Sequence, residues 1–322
     1  MNIQVVKFNE MSFIIVSKPN DLEIKYLKNN FEFDSLHLDD YLHKTQVPKI
    51  ETFKKYTLVV LDFPTFVQNI VPTSSNQLGL PSVNLPHILP AEIKKKRLFN
   101  SQVDFFIGKD YLVVLHDGNL APINDIFTLC QQTLRSRNEY MGEGPIFLAY
   151  RIIDALVDTC FPVVNGMMTT IDKIDRELER KPSQSAIEDI SVTRRNIVVF
   201  HTMIKPIIPL FKRLEQGEYR ELNGTMQPFW NNVFDHLQKI WDRLEDAREL
   251  IEGISESNES LLSYRNNEIV RFLTVITSIA FPFVIINNLY SMNVTGLPYA
   301  QDPRIIWILF GVIFVAAIII LT

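Results

Sequence analysis

The chain has 322 residues, of which 47% are hydrophobic and 21% charged, with a formal net charge of −5. That length suffices for a sizeable soluble domain with an extension, or for two domains. The weakly negative balance gives no reason to expect nucleic acid as a partner, and the one basic run, Lys94-Lys95-Lys96-Arg97, reads as a solvated helix face or loop.

Two cysteines, Cys130 and Cys160, make no disulfide framework and suit a reducing compartment. Met1-Asn2-Ile3-Gln4-Val5 is not a basic stretch followed by an apolar one, so no signal peptide is expected and the bulk of the chain is placed in the cytoplasm.

Residues 1–145 mix short strands and helices, as an α/β domain does. Gln4–Phe8 and Ser12–Val16 predict an antiparallel pair around Asn9-Glu10-Met11. Tyr56–Asp62, Val103–Ile107 and Tyr111–Leu115 are β-rich, and Gly108-Lys109-Asp110 joins the last two as a hairpin turn. Between Pro64 and Pro90, the residues Pro72, Pro81 and Pro86 with Ser74-Ser75-Asn76 mark a loop-rich insert.

Catalytic signatures are missing from this sequence. It has no Gly-rich phosphate loop ending in Lys and Ser/Thr, no nucleophile elbow, and no helical His pair around a Glu. His37 and His43 stand six apart, while His87, His116, His201 and His236 are scattered and read as surface or packed residues. Neither an enzyme nor a resident cofactor is expected.

From 146 to 270 the period becomes helical and predicts a stalk. Ile152, Leu156, Cys160, Val163, Met167, Ile171, Ile174 and Leu178 recur at three and four, with Pro162 kinking that helix without ending it. Ser185 with Glu188 suggests a capping box, and the helix it opens carries Ile187, Ile190, Arg194, Ile197 and His201 until Pro206 and Pro209 disturb it. A turn is expected between Gly217 and Gly224.

Pro228 suits a first helical position, and no proline follows until Pro282. Over that stretch Trp230, Val233, Leu237, Ile240, Leu244, Ala247, Ile251, Ile254, Asn258 and Leu261 form a heptad seam. One helix from Pro228 to Leu289 would be on the order of 90 Å long. The seam fits either a bundle within one subunit or rods gathered about a shared axis, with Asn258 fixing register. Glu245, Asp246, Glu249, Glu252, Glu256 and Glu259 make the outer face acidic, interleaved with Arg243, Arg248 and Arg265 as a solvated, ion-paired face.

Two uncharged apolar runs close the chain, Phe272–Leu289 and Ile305–Leu321. Each approaches the roughly 17–25 residues that a bilayer core of about 30 Å requires. The predicted order is a first membrane helix at 271–290, a short external loop at 291–303 and a second membrane helix at 304–322. Arg265 and Arg271 before the first run favour a cytoplasmic N-terminal bulk. Leu273, Thr277, Phe281, Val284 and Asn288 share one stripe of the first helix, which ends on a carboxamide. Polar groups in a span usually face a protein interior or water; the headgroup level is the other place for Asn287 and Asn288.

At the end of that helix, Tyr290-Ser291-Met292-Asn293 stands where CorA-type magnesium transporters carry Tyr-Gly-Met-Asn, and the chain resembles that family. Leu273–Pro282 resembles the family's first span. Leu38-Asp39-Asp40, Val47-Pro48-Lys49-Ile50-Glu51 and Phe106–Val113 resemble its cytoplasmic domain, so the likeness runs from about residue 35 to the end. Ser291 replaces the glycine, whose backbone freedom serine lacks.

The resemblance implies a homopentamer in a cell membrane, with the N-terminal domain in the cytoplasm, and Mg2+ as substrate and regulator. It makes Asn293 a selectivity ring within the motif Tyr290, Ser291, Met292 and Asn293. Leu273, Thr277, Phe281, Val284 and Asn288 then line a pore. It also implies gating by divalent cations held on carboxylates between subunits. A zinc, cobalt or nickel carrier of the same fold, and a non-conducting anchored scaffold, are the alternatives.

Overall fold

The computed structural model describes residues 2–43, 47–66, 97–180, 184–292 and 303–321. The chain divides into two compact units, Met1–Gly253 and Ile254–Thr322.

The first unit is built on a six-stranded sheet of order β1-β2-β6-β5-β4-β3. Its strands are β1 (Ile3–Phe8), β2 (Met11–Ser17), β3 (Lys49–Thr52), β4 (Tyr56–Phe66), β5 (Leu98–Gly108) and β6 (Tyr111–His116). Only β2 and β6 run parallel. The expected hairpins stand, with Phe8 opposite Met11 and Ile107 opposite Leu112. The first turn is tighter than expected because Met11 already belongs to the strand and Asn9 takes φ 52.

β4 continues through Pro64. That proline is tolerated because β3 pairs only with Thr57–Val60, leaving the later stretch of β4 free on that side. The proline-rich insert that follows lies outside the described residues, as do Lys94, Lys95 and Lys96.

Helices cover both faces of the sheet, which is why β4, β5 and β6 read as near-continuous apolar runs. On one face lie α1 (Asp21–Phe31) and α2 (Ser35–His43), where Ile24, Leu27, Phe33, Leu38 and Tyr41 pack on Val16, Leu58, Val60, Phe106 and Leu115. Asn20 starts α1: its side chain accepts from Leu22 N–H at 2.9 Å, while Glu23 accepts from Asn20 N–H at 3.1 Å. Neither helix was marked by the apolar pattern alone. On the other face lie α3 (Ala121–Gln132), α5 (Pro145–Asp158) and α7 (Gln184–Glu215), with α4 (Leu134–Met141) beside them. There Phe127 meets Phe13 edge-on at 5.3 Å.

Three helical expectations are corrected. The predicted kinked helix is two helices, α5 and α6 (Cys160–Arg180), parted at Thr159. Pro162 has no N–H for the Asp158 carbonyl, so the ladder breaks there, and the phase shifts so that Val164 is buried instead of Val163. Ser185 does not precede its helix, because α7 has already begun at Gln184. Pro206 and Pro209 do not interrupt α7. The burial of Phe200, Met203, Ile204, Ile207, Phe211 and Leu214 holds it together through two lost hydrogen bonds. Its buried stripe is Ala186, Ile190, Thr193 and Ile197, with Ile187 and Arg194 exposed.

After Gly217 (φ 79) and Gly224 (φ 56), α8 runs from Gln227 to Ser291, 65 residues with Pro282 inside it. Within the first unit, Trp230, Val233, Leu237, Ile240, Leu244, Ala247 and Ile251 are all buried. This part of the seam therefore packs inside one subunit, with Trp230 against Tyr150 of α5 and Phe211 of α7.

The second unit holds the rest of α8 and α9 (Pro303–Leu321). Among the described residues one helix is long and apolar enough to cross a membrane, α8, and none of its apolar window is buried. Phe283 of α8 stacks on Phe310 of α9 at 5.4 Å.

Candidate metal centre and the apolar helix

In the first unit, α5 presents Asp154 and Asp158 one turn apart, and α8 presents Asn232 and His236 at the same interval. Spacings of four put each pair on one helical face, and the two faces meet. Asn232 Nδ2 donates to Asp154 Oδ1 at 3.3 Å. His236 Nδ1 lies 3.3 Å from Asp158 Oδ1.

One ligand atom from each of Asp154, Asp158 and His236 falls within 4.8 Å of the others. His236 Nδ1 is buried and has no well-aligned hydrogen bond among the described residues; it pairs with Asp158 when the ring is protonated, and the neutral ring leaves a lone pair free at this point.

The surroundings hold this geometry. Phe161 meets the His236 ring edge-on at 5.5 Å, and the Arg243 guanidinium sits over Phe161 while donating to Asn165 Oδ1 at 2.6 Å. Burial raises the Asp154 pKa, the like charge of Asp158 adds to that, and His236 and Arg151 oppose it. Two carboxylates competing for one place, with an imidazole beside them, form a set of mixed oxygen and nitrogen donors that could hold a divalent cation.

From the sequence His236 reads as a surface or packed residue. Two polar pairs at the same four-residue interval, each interleaved with an apolar stripe, are the signal available. Two other histidines have ordinary partners: His116 bonds Ser17 Oγ at 2.9 Å and accepts from Gly118 N–H at 3.2 Å. His201 Nε2 lies 2.6 Å from Glu245 Oε1 and 4.1 Å from the Trp241 ring, centroid to centroid. On the acidic face, Arg248 bridges Glu245 and Glu252, as a solvated ion-paired surface should.

In the second unit, the predicted stripe of Leu273, Thr277, Phe281, Val284 and Asn288 is exposed along its whole length. Partial burial falls instead on Val275, Ile279, Phe283, Ile286 and Tyr290, the side that meets α9. Thr277 turns its hydroxyl back to the Leu273 carbonyl at 2.9 Å.

Ser291 likewise donates to the Asn287 carbonyl at 2.6 Å, satisfying one of the last acceptors of α8. Met292 follows the helix end and is exposed. Asn293 and the connector 293–302 lie outside the described residues.

The family described as "CorA-like Mg2+ transporter protein" matches residues 8–322. The chain is 26% identical over 271 residues to the cobalt/magnesium transport protein CorA of Thermotoga maritima, covering 83% of this chain and 69% of that one. It is 22% identical over 327 residues to the protein of the same name in Methanocaldococcus jannaschii, covering 97% and 92%. The solved structure of the complete CorA magnesium transporter of that organism superposes with a TM-score of 0.71 at 18% identity, covering 98% of this chain and 90% of the other, and shares its fold.

Proposed function

Because the chain belongs to the CorA-like Mg2+ transporter family, a family of ion carriers and not of enzymes, we propose that it carries divalent cations, magnesium foremost, across a cell membrane. The route is a pore shared by several copies, a pentamer on the family pattern. α8 supplies the first span. α9, at 19 residues with Arg304 its only charge, supplies the second.

The observation that carries this reading is the uncovered stripe of α8. Two helices cannot enclose a pore, and α9 takes up the opposite side. In this reading Leu273, Thr277, Phe281, Val284 and Asn288, among the exposed residues of α8 turned from α9, meet other copies around an axis. On the same reading, Asn293 of the family motif supplies one carboxamide per subunit to the outer mouth.

Magnesium sheds its water reluctantly and prefers an octahedral oxygen shell. A ring of amide oxygens holds the hydrated ion without the deep well of a carboxylate ring, so the ion can leave as well as bind. Below it Asn288 adds a second polar collar, and Val284, Phe281 and Leu273 form apolar constrictions. The larger unit lies in the cytoplasm, where Asp154, Asp158 and His236 sense the divalent cation and bias the assembly toward its closed state. Such a site responds to the ion only as far as it binds one state more tightly.

Cobalt is the second cargo in this reading, since the Thermotoga relative's name couples it with magnesium. A competition series of magnesium, cobalt, nickel and zinc in liposomes, with and without a pH gradient, tests it. Magnesium should be taken up in preference to the others and without need of the gradient; preference for zinc would overturn the magnesium assignment.

A further inference from the structure

Two carboxylates lie in the sheet with oxygens that no described residue bonds. Asp104 of β5 is fully buried and Asp62 of β4 is 8% exposed. Asp104 stands opposite Val60, and Asp62 opposite Gln102, so the acids are diagonal neighbours on one face. That face is the one covered by α1 and α2, since Val60 packs with Ile24, Leu27, Leu38 and Tyr41. Gln102 Nε2 donates to Asp104 Oδ1 at 2.8 Å, and Asn100 hydrogen-bonds Asp62. Asp104 Oδ2 and Asp62 Oδ1 are buried and have no hydrogen-bond partner among the described residues.

The ionisable groups around them are mostly of the same sign. α2 contributes Asp40 and Tyr41, and Asp117 follows β6. β3 contributes Lys49, whose register opposite Val60 puts it on this face, but its ammonium lies 3.0 Å from Glu51. Asp62 acts on Asp104 through its charge across space and not by a hydrogen bond.

Two ionised carboxylates in such a layer are costly, because burial without a partner removes their hydration. A divalent ion would want about six oxygens, whereas the amides of Gln102 and Asn100 that meet Asp104 and Asp62 here already hydrogen-bond the acids. A proton needs a single oxygen. We propose that Asp62 and Asp104 form a proton-binding pair in which Asp104 carries a proton that it releases around neutral pH, and that the release puts charge beneath α2 and loosens the larger unit.

Burial, with the charge of Asp62 adding to it against the Gln102 hydrogen bond, lifts the Asp104 pKa from 3.8 to about 7, and burial raises that of Asp62 as well. A carboxyl whose folded value exceeds its unfolded one stabilises fully below the unfolded value, and loses that contribution as pH rises through the folded value. Stability therefore falls through about pH 7.

The test is the thermal unfolding midpoint of the full chain in detergent from about pH 4 to about pH 8, for wild type and Asp104→Asn. Relative to the variant, which is neutral at this position at every pH, the wild-type midpoint should fall as pH rises across this range. The variant should exceed wild type at the alkaline end. Parallel curves overturn the proposal. So does a rise on adding magnesium at alkaline pH that occurs in wild type and not in the variant, because the ligand would then be a cation. Should Asp104→Asn not fold, infrared spectra of the wild type decide: a protonated-carboxyl C=O band present at the acid end and lost at the alkaline end supports the pair, and no such band at the acid end overturns it.

Discussion

Phe283 on α8 and Phe310 on α9 stack with their centroids 5.4 Å apart and their planes 20° from parallel. This contact fixes the face of α8 that α9 covers. Leu273, Thr277, Phe281, Val284 and Asn288 are turned about 200° from that face, two residues out of phase at about 100° each.

Cysteine chemistry reads this phase directly. The native Cys130 and Cys160 are both fully buried, so the wild type should give almost no background with a small water-soluble thiol reagent. Val284→Cys should react readily, and Phe283→Cys, under Phe310, slowly. Protection of Val284→Cys with reaction at position 283 would mean that the stripe faces lipid.

Magnesium should stabilise the larger unit through Asp154, Asp158 and His236. A ligand at about a hundred times its dissociation constant adds about 2.7 kcal/mol to the state that binds it. Wild type should accordingly unfold at a higher temperature in millimolar magnesium, and His236→Ala with Asp158→Asn should lose most of that rise while folding normally without the ion.

Acid should weaken the sheet through His116. Its Nδ1 accepts from Gly118 N–H, so the neutral ring carries its proton on Nε2 and donates to Ser17 Oγ. Burial depresses its pKa from 6.5 to about 4. The neutral ring's contribution is complete above 6.5 and is lost as pH falls toward about 4, a swing of about 3 kcal/mol at 1.36 kcal/mol per unit. Denaturant unfolding over this range should show wild type losing stability relative to His116→Gln as pH falls, the Asp104 contribution being common to both.

Trp230 anchors α8 within the first unit. It is 1% exposed, and its indole N–H donates to the Leu222 carbonyl at 2.8 Å. Trp230→Ala should cost about 3–5 kcal/mol. Trp230→Phe should cost about 1–3 kcal/mol, chiefly from the carbonyl left bare. Equilibrium unfolding of both variants measures the difference.

Much of this architecture was legible where local chemistry decides it. Alternation gave β1, β2 and the β5–β6 hairpin, and the three-and-four spacing gave α8 and its seam. The stripe on α8 was readable because a helix keeps its phase over many turns. What escaped depended on packing between elements. The break at Thr159 and the passage of α7 through two prolines turn on what neighbouring helices bury, and a proline signals only the local cost. The pairing of Asp154 and Asp158 with His236 joins residues about eighty positions apart, so spacing along the chain was silent on it. Asp62 and Asp104 sat inside β-rich runs, where their burial depends on the helices stacked above.

The most direct measurement of the central claim is magnesium uptake by proteoliposomes holding wild type or Asn293→Ala, with matched protein content and a matched oligomer. Wild type should load its vesicles well above protein-free liposomes, and the variant should lose that uptake or its preference for magnesium over other divalent cations. Equal, equally selective uptake by both would contradict a selective ring at Asn293, and no uptake by either would leave an anchored oligomer that conducts nothing.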